Sequence, residues 1–280
     1  MYLILKGKKM KHLLRLTTII FAFLVVSSCN TYKKKIQESQ VHHTEQIGEK
    51  NCSNVHWSHH EGENGPENWK NLCNGFSDCG ESSQSPINIV TSTISKVDTL
   101  EAIKFNYGKS GVEIINNGHT VQFNISGDNY ITINGTTYKL LQFHYHTRSE
   151  HTIDGDYYPI EVHFVHKNSD TNYAVVSMLF QEGKSNELFE NYLNKFPSSK
   201  GTFKSEKMID LINLFPINKS YYNYKGSLTT PPCSEVVNWY VLKTPLTASK
   251  EQIELFSKIL NNNYRPVQPL NSRTIQVYNQ

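Results

Sequence analysis

Short runs of β-branched and aromatic residues recur along residues 112–242 and are separated by Gly, Asn and Asp. The runs are VEIINNG, HTVQFNISGDN, YITINGTTYKLLQFHYH, YPIEVHFVHKNSD, YAVVSMLF and VVNWYVL. Asn-Gly pairs at 117–118 and 134–135 are typical of tight hairpin turns. The pattern predicts a large, mainly antiparallel, twisted central sheet.

Helical periodicity is confined to three short segments, Glu187–Phe196, Ser205–Leu214 and Ser249–Leu260. No internal repeat or linker divides residues 51–280. We therefore expect a single domain over 51–280, mostly β with short helices (α+β), built around the central sheet.

The first 50 residues carry a different pattern. Basic residues between Lys6 and Arg15 precede an uncharged, mostly apolar run of 11 residues, Leu16 to Val26. This run is short for a bilayer span of about 20 residues and fits the core of a signal peptide. Val26 to Cys29 resembles a bacterial lipobox, which would make Cys29 the lipidated first residue of the mature protein. An ordinary secretory signal is the alternative.

This interpretation assigns residues 1–28 to a lipoprotein-type signal peptide, with Met10 as an alternative start, and the polar residues 29–50 to a tether. We expect an exported protein, periplasmic or at the cell surface, that meets the membrane only through its lipid anchor. Such compartments are oxidising and favour disulfides. If Cys29 carries lipid, four cysteines remain, and the sequence alone leaves their three pairings open.

Composition excludes two other classes of protein. Hydrophobic residues make up 38% and aromatic residues 11% of the chain, which is too many for a disordered protein. Removing the five basic residues of 1–28 turns the formal net charge of +3 into −2, so the basic balance belongs to the N-terminus. We expect no nucleic-acid partner.

Candidate chemistry lies on two of the predicted strands. Side chains alternate across a strand. Along residues 140–146, one face is therefore predicted to carry Gln142, His144 and His146, and the opposite face Leu141, Phe143 and Tyr145.

The second segment places Glu161, His163 and Val165 on one face. If the two strands are neighbours, three imidazoles converge, and three neutral His with one open position form a catalytic zinc set. Gln142 and Glu161 are placed to accept remaining imidazole N–H groups, as metal-binding His requires. On spacing alone, the alternatives are solvated surface residues for the His-x-His pair and a core ion pair between Glu161 and His163.

Nine segments resemble the α-class carbonic anhydrases, in the family's order, from about His56 to the C-terminus. They are HWSHHEGENGPENW (56–69), QSPINI (84–89), NNGHTVQ (116–122), QFHYH (142–146), SEH (149–151), EVHFVH (161–166), GSLTTPPC (226–233), VVNWYVL (236–242) and NYRPVQPLNSR (263–273). Each is moderately specific alone, and together they identify the family. The resemblance implies its fold, one Zn²⁺ per chain, and reversible hydration of CO₂ to bicarbonate and a proton.

The resemblance also implies roles for individual residues. It assigns zinc ligation to His144, His146 and His163. It assigns support of the imidazoles to Gln142, Glu161 and the backbone of Asn263. Thr229 would accept a hydrogen bond from zinc-bound hydroxide and donate its own proton to Glu150, and His119 would be the proton shuttle.

The remaining implied residues shape the cavity. The apolar substrate wall would consist of Val165, Val175, Leu228, Val237 and Trp239. The cavity would also be lined by Asn117, Gln122 and Thr230. The family's common disulfide corresponds to Cys79 and Cys233, which leaves Cys52 and Cys73 as a second pair.

Two positions depart from the family pattern. His59 stands where many relatives have a Tyr on the cavity wall, and Thr147 replaces the usual aromatic residue after the second ligand. We expect the first change to alter the water chain between zinc and His119, and the second to remove packing behind the metal strand.

The resemblance further implies inhibition by sulfonamides and anions, and a monomer or dimer. Two other functions stay open. One is a catalytically silent binding module on the same fold, which would be expected to lose a zinc ligand. The other is a zinc-buffering lipoprotein that binds several ions per chain with additional residues, His42, His43, His56, His59 and His60.

Overall fold

The structure, a computed structural model, describes residues 52–96 and 99–280. The predicted signal peptide, Cys29 and the tether lie outside these residues. The described part is a single domain, mostly β with few short helices, as the sequence predicted.

Eighteen strands occur in the described residues. In chain order they are β1 (Asn88–Ile89), β2 (Ser95–Lys96), β3 (Lys104–Asn106), β4 (Lys109–Ser110), β5 (Val112–Asn116), β6 (Val121–Ile125), β7 (Tyr130–Ile133), β8 (Thr136–His146), β9 (Thr152–Ile153), β10 (Asp156–Tyr157), β11 (Ile160–Ser169), β12 (Asn172–Glu182), β13 (Gly201–Lys204), β14 (Ile209–Asp210), β15 (Tyr221–Gly226), β16 (Val237–Leu242), β17 (Leu246–Ala248) and β18 (Gln276–Tyr278). The α-helices are α1 (Trp69–Leu72), α2 (Glu187–Tyr192) and α3 (Lys250–Leu260).

Thirteen of the described strands form one mixed sheet. Its main path runs β13-β5-β6-β8-β11-β12-β16-β15-β18-β2, with β7 paired to β8, β3 paired to β7, and β17 paired to β12. Most pairs are antiparallel, and β12–β16, β12–β17 and β18–β2 are parallel. Two small sheets, β1-β9-β10 and β4-β14, flank this one. The predicted large, mainly antiparallel sheet is confirmed.

Both Asn-Gly pairs lie at hairpin turns. Asn134 and Gly135 have positive φ angles of 47° and 76° and connect β7 to β8, where Ile133 pairs with Thr136. Residues 117–120 connect β5 to β6. These turns help to fix the register of the strands on one side of β8.

Two of the three predicted helices are present. α3 begins at Ser249, whose side chain forms a capping box with Gln252, and ends at Asn261 in the left-handed conformation. α2 covers the first part of its predicted segment and continues as a 3₁₀ turn. The helix predicted over Ser205–Leu214 is wrong, because β14 pairs there with β4 and residues 211–214 form a 3₁₀ turn.

The central sheet separates two apolar clusters. Phe143 and Phe164 stack at 4.6 Å between ring centroids in the larger cluster, which also receives helices α2 and α3. Val165, the next residue along β11, belongs to the smaller cluster with Trp239. Because neighbouring residues of a strand point to opposite faces, one face of β8 and β11 is buried in the main core and the other carries the polar site.

Leu141 does not share the face of Phe143, contrary to the prediction. The β8–β11 ladder pairs Val165 with Gln142 but His166 with Leu140, so Leu141 is an extra residue at a β-bulge. Leu140 is buried in its place, and Leu141 is 42% exposed. Side chains alternate on either side of the bulge, with Tyr138 and Leu140 buried before it and Phe143 and Tyr145 buried after it.

Two disulfides join Cys52 to Cys73 and Cys79 to Cys233. All four cysteines pack in one cluster with Trp69 and Trp57. Three of them lie in the segment that precedes the first strand, and Cys233 lies in the loop between β15 and β16. No helix in the described part of the chain is both long enough and apolar enough to cross a bilayer.

Candidate metal centre

Three imidazoles converge at the end of β8 and on β11. The antiparallel register places His144 directly opposite His163 and His146 opposite Glu161. The ring centroids lie 5.0 Å apart for His144 and His146, 5.3 Å for His144 and His163, and 4.6 Å for His146 and His163. One nitrogen from each ring lies within 4.8 Å of the other two.

The second nitrogen of each ring is already hydrogen-bonded. His144 Nδ1 lies 2.9 Å from Gln142 Oε1, and His163 Nε2 lies 2.9 Å from Glu161 Oε1. His146 Nδ1 lies 2.6 Å from the carbonyl oxygen of Asn263. Since these partners are oxygen acceptors, each ring donates from that nitrogen and keeps a lone pair on the other.

The free nitrogens fit a metal ion. His146 and His163 are each 1% exposed, and His146 Nε2 is buried without a hydrogen-bond partner. Burial lowers the pKa of all three imidazoles and keeps them neutral. Neutral imidazole is the form that ligates zinc, and three such donors leave a fourth tetrahedral position open.

Glu161 connects the metal-facing imidazoles to the protein behind them. Its Oε1 accepts hydrogen bonds from His163 and from His151 Nδ1 at 2.7 Å, and its Oε2 accepts the backbone N–H of Glu150 at 2.8 Å. Burial alone would raise the pKa of Glu161, but His151 and His163 hold it well below its usual value. An ionised Glu161 fixes the orientation of the His163 ring.

A second carboxylate lies in front of the imidazoles. Glu150 Oε1 accepts the backbone N–H of Arg265 at 2.8 Å. Glu150 Oε2 lies 3.7 Å from His146 Nε2 and 3.9 Å from His163 Nδ1, and accepts no hydrogen bond of ordinary geometry from the described residues. Burial raises the pKa of Glu150 to about 7. The adjacent Thr229 hydroxyl lowers this pKa but does not offset the effect of burial.

Thr229 lies in the loop between β15 and β16 and is 6% exposed. The loop is fixed on both sides of it: Leu228 N–H donates to Ser234 O, and Cys233 N–H donates to Thr230 O. The disulfide from Cys233 to Cys79 ties the loop to the 3₁₀ segment Asn74–Gly80. Thr229 is therefore held next to Glu150.

The expected apolar wall forms one cluster beside the imidazoles. Its buried members are Val165, Val175, Val237 and Trp239, and Leu228 packs against them. The Trp239 ring contacts the His163 ring edge-on at 4.8 Å, and its Nε1 donates to Ser227 O. The site thus combines a polar corner with an apolar side.

His119 lies half-buried in the turn between β5 and β6, near Trp57 and His59. Its ring stacks on Trp57 at 4.0 Å and lies 6.3 Å from the ring of His59. Asn117 Oδ1 accepts the backbone N–H groups of His119 and Thr120, both at 2.9 Å. Burial, followed by the charges of Lys200 and His56, lowers the pKa of His119.

Three other residues were predicted to line the cavity. Gln122 and Thr230 lie next to residues of the site, whereas Asn117 lies in the exposed turn before His119. Asn117 is exposed and its side chain holds the turn. Gln122 pairs with His144 across β6 and β8, and its amide donates to Asn124. Thr230 is half-buried beside Thr229.

The two departures from the family pattern are both at enclosed positions. His59 has a buried Nε2 without a partner, and burial lowers its pKa to about 3. Thr147 is 2% exposed, its N–H donates to Asn263 Oδ1, and its hydroxyl has no partner among the described residues.

Sequence reasoning missed three residues that shape this site. His151, in SEH, bridges Glu161 and the Tyr224 hydroxyl. Trp57 supports His119. Arg265, 1% exposed, anchors the backbone that binds Glu150 through hydrogen bonds to Gln84, Ser85 and Cys79. All three lie inside the nine segments that resemble the family, and this position was the only sign of their importance in the sequence. The neighbouring residues in the sequence do not indicate which distant groups they contact.

Comparison with known proteins agrees with this geometry. The family model for eukaryotic-type carbonic anhydrase matches residues 64–279. A carbonic anhydrase of Neisseria gonorrhoeae is 42% identical over 226 residues, which cover 80% of this chain and 88% of that protein.

Solved structures agree as well. A hyperthermostable carbonic anhydrase from a hydrothermal vent chimney is 45% identical with a TM-score of 0.76, covering 80% of this chain and all of that one. The α-carbonic anhydrase of Thermovibrio ammonificans, in complex with the inhibitor sulfanilamide, is 40% identical with a TM-score of 0.75, covering 79% of this chain and 99% of that one. The chain therefore belongs to the α-carbonic anhydrases, the enzymes that interconvert carbon dioxide and bicarbonate.

Proposed function

We propose that this protein hydrates CO₂ with a single zinc ion held by His144, His146 and His163. One observation carries the proposal: three ring nitrogens lie within 4.8 Å of one another, and each ring is oriented by a hydrogen bond from its other nitrogen. When bound, zinc supplies a Lewis acid that lowers the pKa of a water ligand to about 7, a value known from the carbonic anhydrases themselves.

Thr229 and Glu150 would orient the nucleophile. A hydroxyl has one proton to donate. If Thr229 gives that proton to the free Oε2 of Glu150, its oxygen can only accept, so a nucleophile that donates to Thr229 is held with a lone pair towards the substrate carbon. The backbone N–H of Arg265 holds the other carboxylate oxygen and keeps Oε2 turned towards the site.

The apolar wall would bind the substrate. CO₂ has no net dipole and gains little from polar anchors, so the surface formed by Val165, Val175 and Trp239 suits it. Each turnover also releases a proton. The half-buried His119 has an imidazole that can take up this proton and pass it to buffer.

Zinc content and hydration activity test the proposal together. The purified protein should bind one zinc per chain and hydrate CO₂ in a stopped-flow assay, and His144→Ala should lose both the metal and the activity. A His42→Ala/His43→Ala variant is a matched control that changes two histidines far from the site in sequence and should keep one zinc. A folded, zinc-loaded protein without hydration activity would refute the enzyme and favour the silent binding module.

The same measurement addresses zinc buffering. Within residues 52–96 and 99–280, the only groups of three or more potential ligands are His144, His146 and His163, and the overlapping set that replaces the first two with His151 and Glu161. A single closely spaced site supports an enzyme rather than a metal store. Several zinc ions per chain, lost in the His42→Ala/His43→Ala variant, would favour the buffering function.

Inhibition gives an independent check. The Thermovibrio relative binds sulfanilamide. We expect sulfanilamide, and small anions, to inhibit hydration by this protein, because an open metal position beside an apolar wall accepts a sulfonamide nitrogen and its ring. Activity that is unaffected by saturating sulfanilamide would argue against the proposed metal geometry.

We also propose that the protein is exported and anchored through lipid on Cys29. The lipobox-like segment and two disulfides in the described residues support this, since disulfides persist in oxidising compartments. Wild-type protein should partition with membranes, and Cys29→Ser should move it to the soluble exported fraction. A wild-type protein that is soluble and cleaved before residue 29 would instead indicate an ordinary signal peptide.

A further inference from the structure

A cavity of about 400 Å³ lies beside His119, outside the three imidazoles. It is bordered by His59, His60, His119, Lys200, Asn261 and Asn263, and by the hydroxyls of Ser198 and Ser199. No Asp or Glu is among its lining residues in the described part of the chain. Its potential charges are therefore all positive.

The exposed side chain of Lys200 borders this cavity and lies against the turn that carries His119. A Cβ on Gly118 would collide with Lys200 Cε and would lie 3.4 Å from Lys200 Nζ. The Lys200 stem therefore lies directly on the turn, one residue from His119. Gly118 also has a φ angle of +93°, a backbone conformation that favours glycine at this position.

Within residues 52–96 and 99–280, no carboxylate faces His119 from the elements packed against it. Its own turn contributes the amide of Asn117, the N-terminal segment contributes His56, Trp57 and His59, and the 198–200 segment contributes Lys200. A proton on His119 therefore creates a second positive charge beside Lys200 without an internal counter-ion. A small anion in the cavity would supply the missing charge.

The C-terminal end of helix α3 adds negative potential to the cavity and opposes the binding of an anion. Asn261, its C-cap, borders the cavity, and a helix C-terminus carries roughly half a negative charge. Lys200 alone carries a full positive charge, and protonated His119 adds another. The balance favours an anion, most strongly when His119 holds a proton.

We propose, on the basis of the proposed function, that this cavity docks a small dianionic buffer of the hydrogen phosphate type, which takes the proton from His119. The N–H bond of the His119 imidazolium breaks and an O–H bond forms on the anion. Imidazolium and HPO₄²⁻ become neutral imidazole and H₂PO₄⁻. The product has lost one negative charge and faces a cavity that has lost one positive charge, so it leaves readily.

Buffer-dependent kinetics test the site. Hydration turnover is measured against increasing phosphate and, separately, against increasing imidazole, a neutral base. Lys200→Met should raise the half-saturating phosphate concentration about threefold to fivefold, the effect of one exposed charge, beyond any change in the imidazole dependence, which reports the effect of Lys200 on His119 itself. The matched control Lys204→Met, on β13 outside the cavity, should alter neither.

Two further results would overturn the proposal. Equal changes with both buffers would mean that Lys200 acts on His119 itself, and no change would mean that Lys200 contributes nothing to docking. Sulfate, a dianion that does not accept a proton near neutral pH, should raise the half-saturating concentration of phosphate but not that of imidazole, whereas inhibition by sulfate at the metal would lower turnover equally with both buffers. Competition with both buffers would place the anion elsewhere.

A binding measurement separates this proposal from the proposed function. At constant ionic strength, phosphate and sulfate should shift the His119 ring resonances in NMR spectra of the wild-type protein, and the shift should weaken in Lys200→Met. This result needs no turnover. A wild-type protein that does not hydrate CO₂ would refute the proposed function but not the anion site. A wild-type protein with normal kcat/KM whose His119 resonances do not shift would refute the anion site but not the proposed function.

Discussion

Each of the three imidazoles keeps one nitrogen free to bind a metal because its other nitrogen is already hydrogen-bonded. The three acceptors differ in kind: an amide on Gln142, a carboxylate on Glu161 and a main-chain carbonyl on Asn263. The first two precede their His by two residues on the same strand, and the third comes from a distant segment. Ring orientation therefore depends on local strand geometry for two ligands and on the whole fold for His146.

Thr229→Val should lower kcat/KM by about two orders of magnitude, since valine keeps the volume of threonine but has no hydroxyl to orient the nucleophile. Stopped-flow hydration measures the effect, and metal analysis should still give one zinc per chain. An unchanged kcat/KM in a zinc-loaded variant would remove Thr229 and Glu150 from the proposed mechanism.

His119→Ala should lower turnover at low buffer concentration while kcat/KM stays the same, because proton release follows the step that consumes CO₂. Added imidazole should restore part of the turnover by replacing the missing ring. Turnover that depends on buffer as in the wild-type protein would show that protons leave by another route, for which His59 is the nearest candidate.

Strand alternation made the ligand residues predictable, because it places His144 and His146 on one face without any knowledge of the fold. Other features could not be predicted in this way. The bulge at Leu141 leaves no local signature, so the side of Leu141 was predicted wrongly. The stacking of Trp57 under His119 joins residues far apart in the chain, and only the folded structure brings them together.

At the scale of elements, the long strands β8, β11 and β12 determine both the core and the site. Phe143 and Phe164 are fully buried on one face, while His144 and His163 project from the other. The core face therefore fixes the position of the ligands, since a strand cannot shift without moving both sets. The mistaken helix over 205–214 shows the opposite case, in which pairing with β4 overrode a helical pattern of apolar residues.

Acid should destabilise the domain partly through His166 on β11. This residue is fully buried between the Tyr107 hydroxyl and Ala174 O, and burial lowers its pKa to about 3. The unfolded chain, with a pKa of about 6.5, binds the proton more tightly. The contribution of His166 is therefore complete above pH 6.5 and decreases as pH falls towards 3.

At pH 5 this decrease amounts to about 2 kcal/mol in the free energy of unfolding. Urea unfolding at pH 7 and pH 5 should show a smaller loss in His166→Gln than in the wild-type protein by about this amount. The proposed zinc ligands are the same in both proteins, so the comparison isolates His166. Identical pH dependence in the two proteins would mean that His166 is protonated in the folded state.

At the scale of the whole molecule, the two disulfides close loops of very different length. Cys52 and Cys73 are 21 residues apart, and Cys79 and Cys233 are 154 residues apart. The loop-entropy model gives about 3 kcal/mol for the first and about 5 kcal/mol for the second. Urea unfolding of the two double Cys→Ser variants should show this order of destabilisation.

Activity should distinguish the two bridges further. Loss of the Cys79–Cys233 bridge should also lower kcat/KM, since it frees the loop that holds Thr229, whereas loss of the Cys52–Cys73 bridge should leave kcat/KM intact. A variant without Cys79–Cys233 that keeps full kcat/KM would show that hydrogen bonds alone hold the loop.

The order of strands in the sheet was beyond the reach of the sequence. Patterns along the chain indicate strands and hairpins, but β16 joins β12 in parallel across a long connection, and β18 pairs with β2 although most of the other strands lie between them in the chain. Such pairings depend on the packing of the complete core. From the sequence, the three imidazoles converge only if β8 and β11 are neighbours. The structure shows that these strands are paired, with His144 opposite His163.

Because of the bulge at Leu141, deleting a residue from β8 has different consequences at different positions. Deleting Leu141 would leave a regular ladder, with His144 and His146 still opposite their present partners on β11. Deleting Tyr145 would instead turn the two ligands to opposite sides and break the centre. Engineers who shorten, extend or graft this strand have one position where a residue can be removed without loss of ligand geometry, and it lies immediately before Gln142.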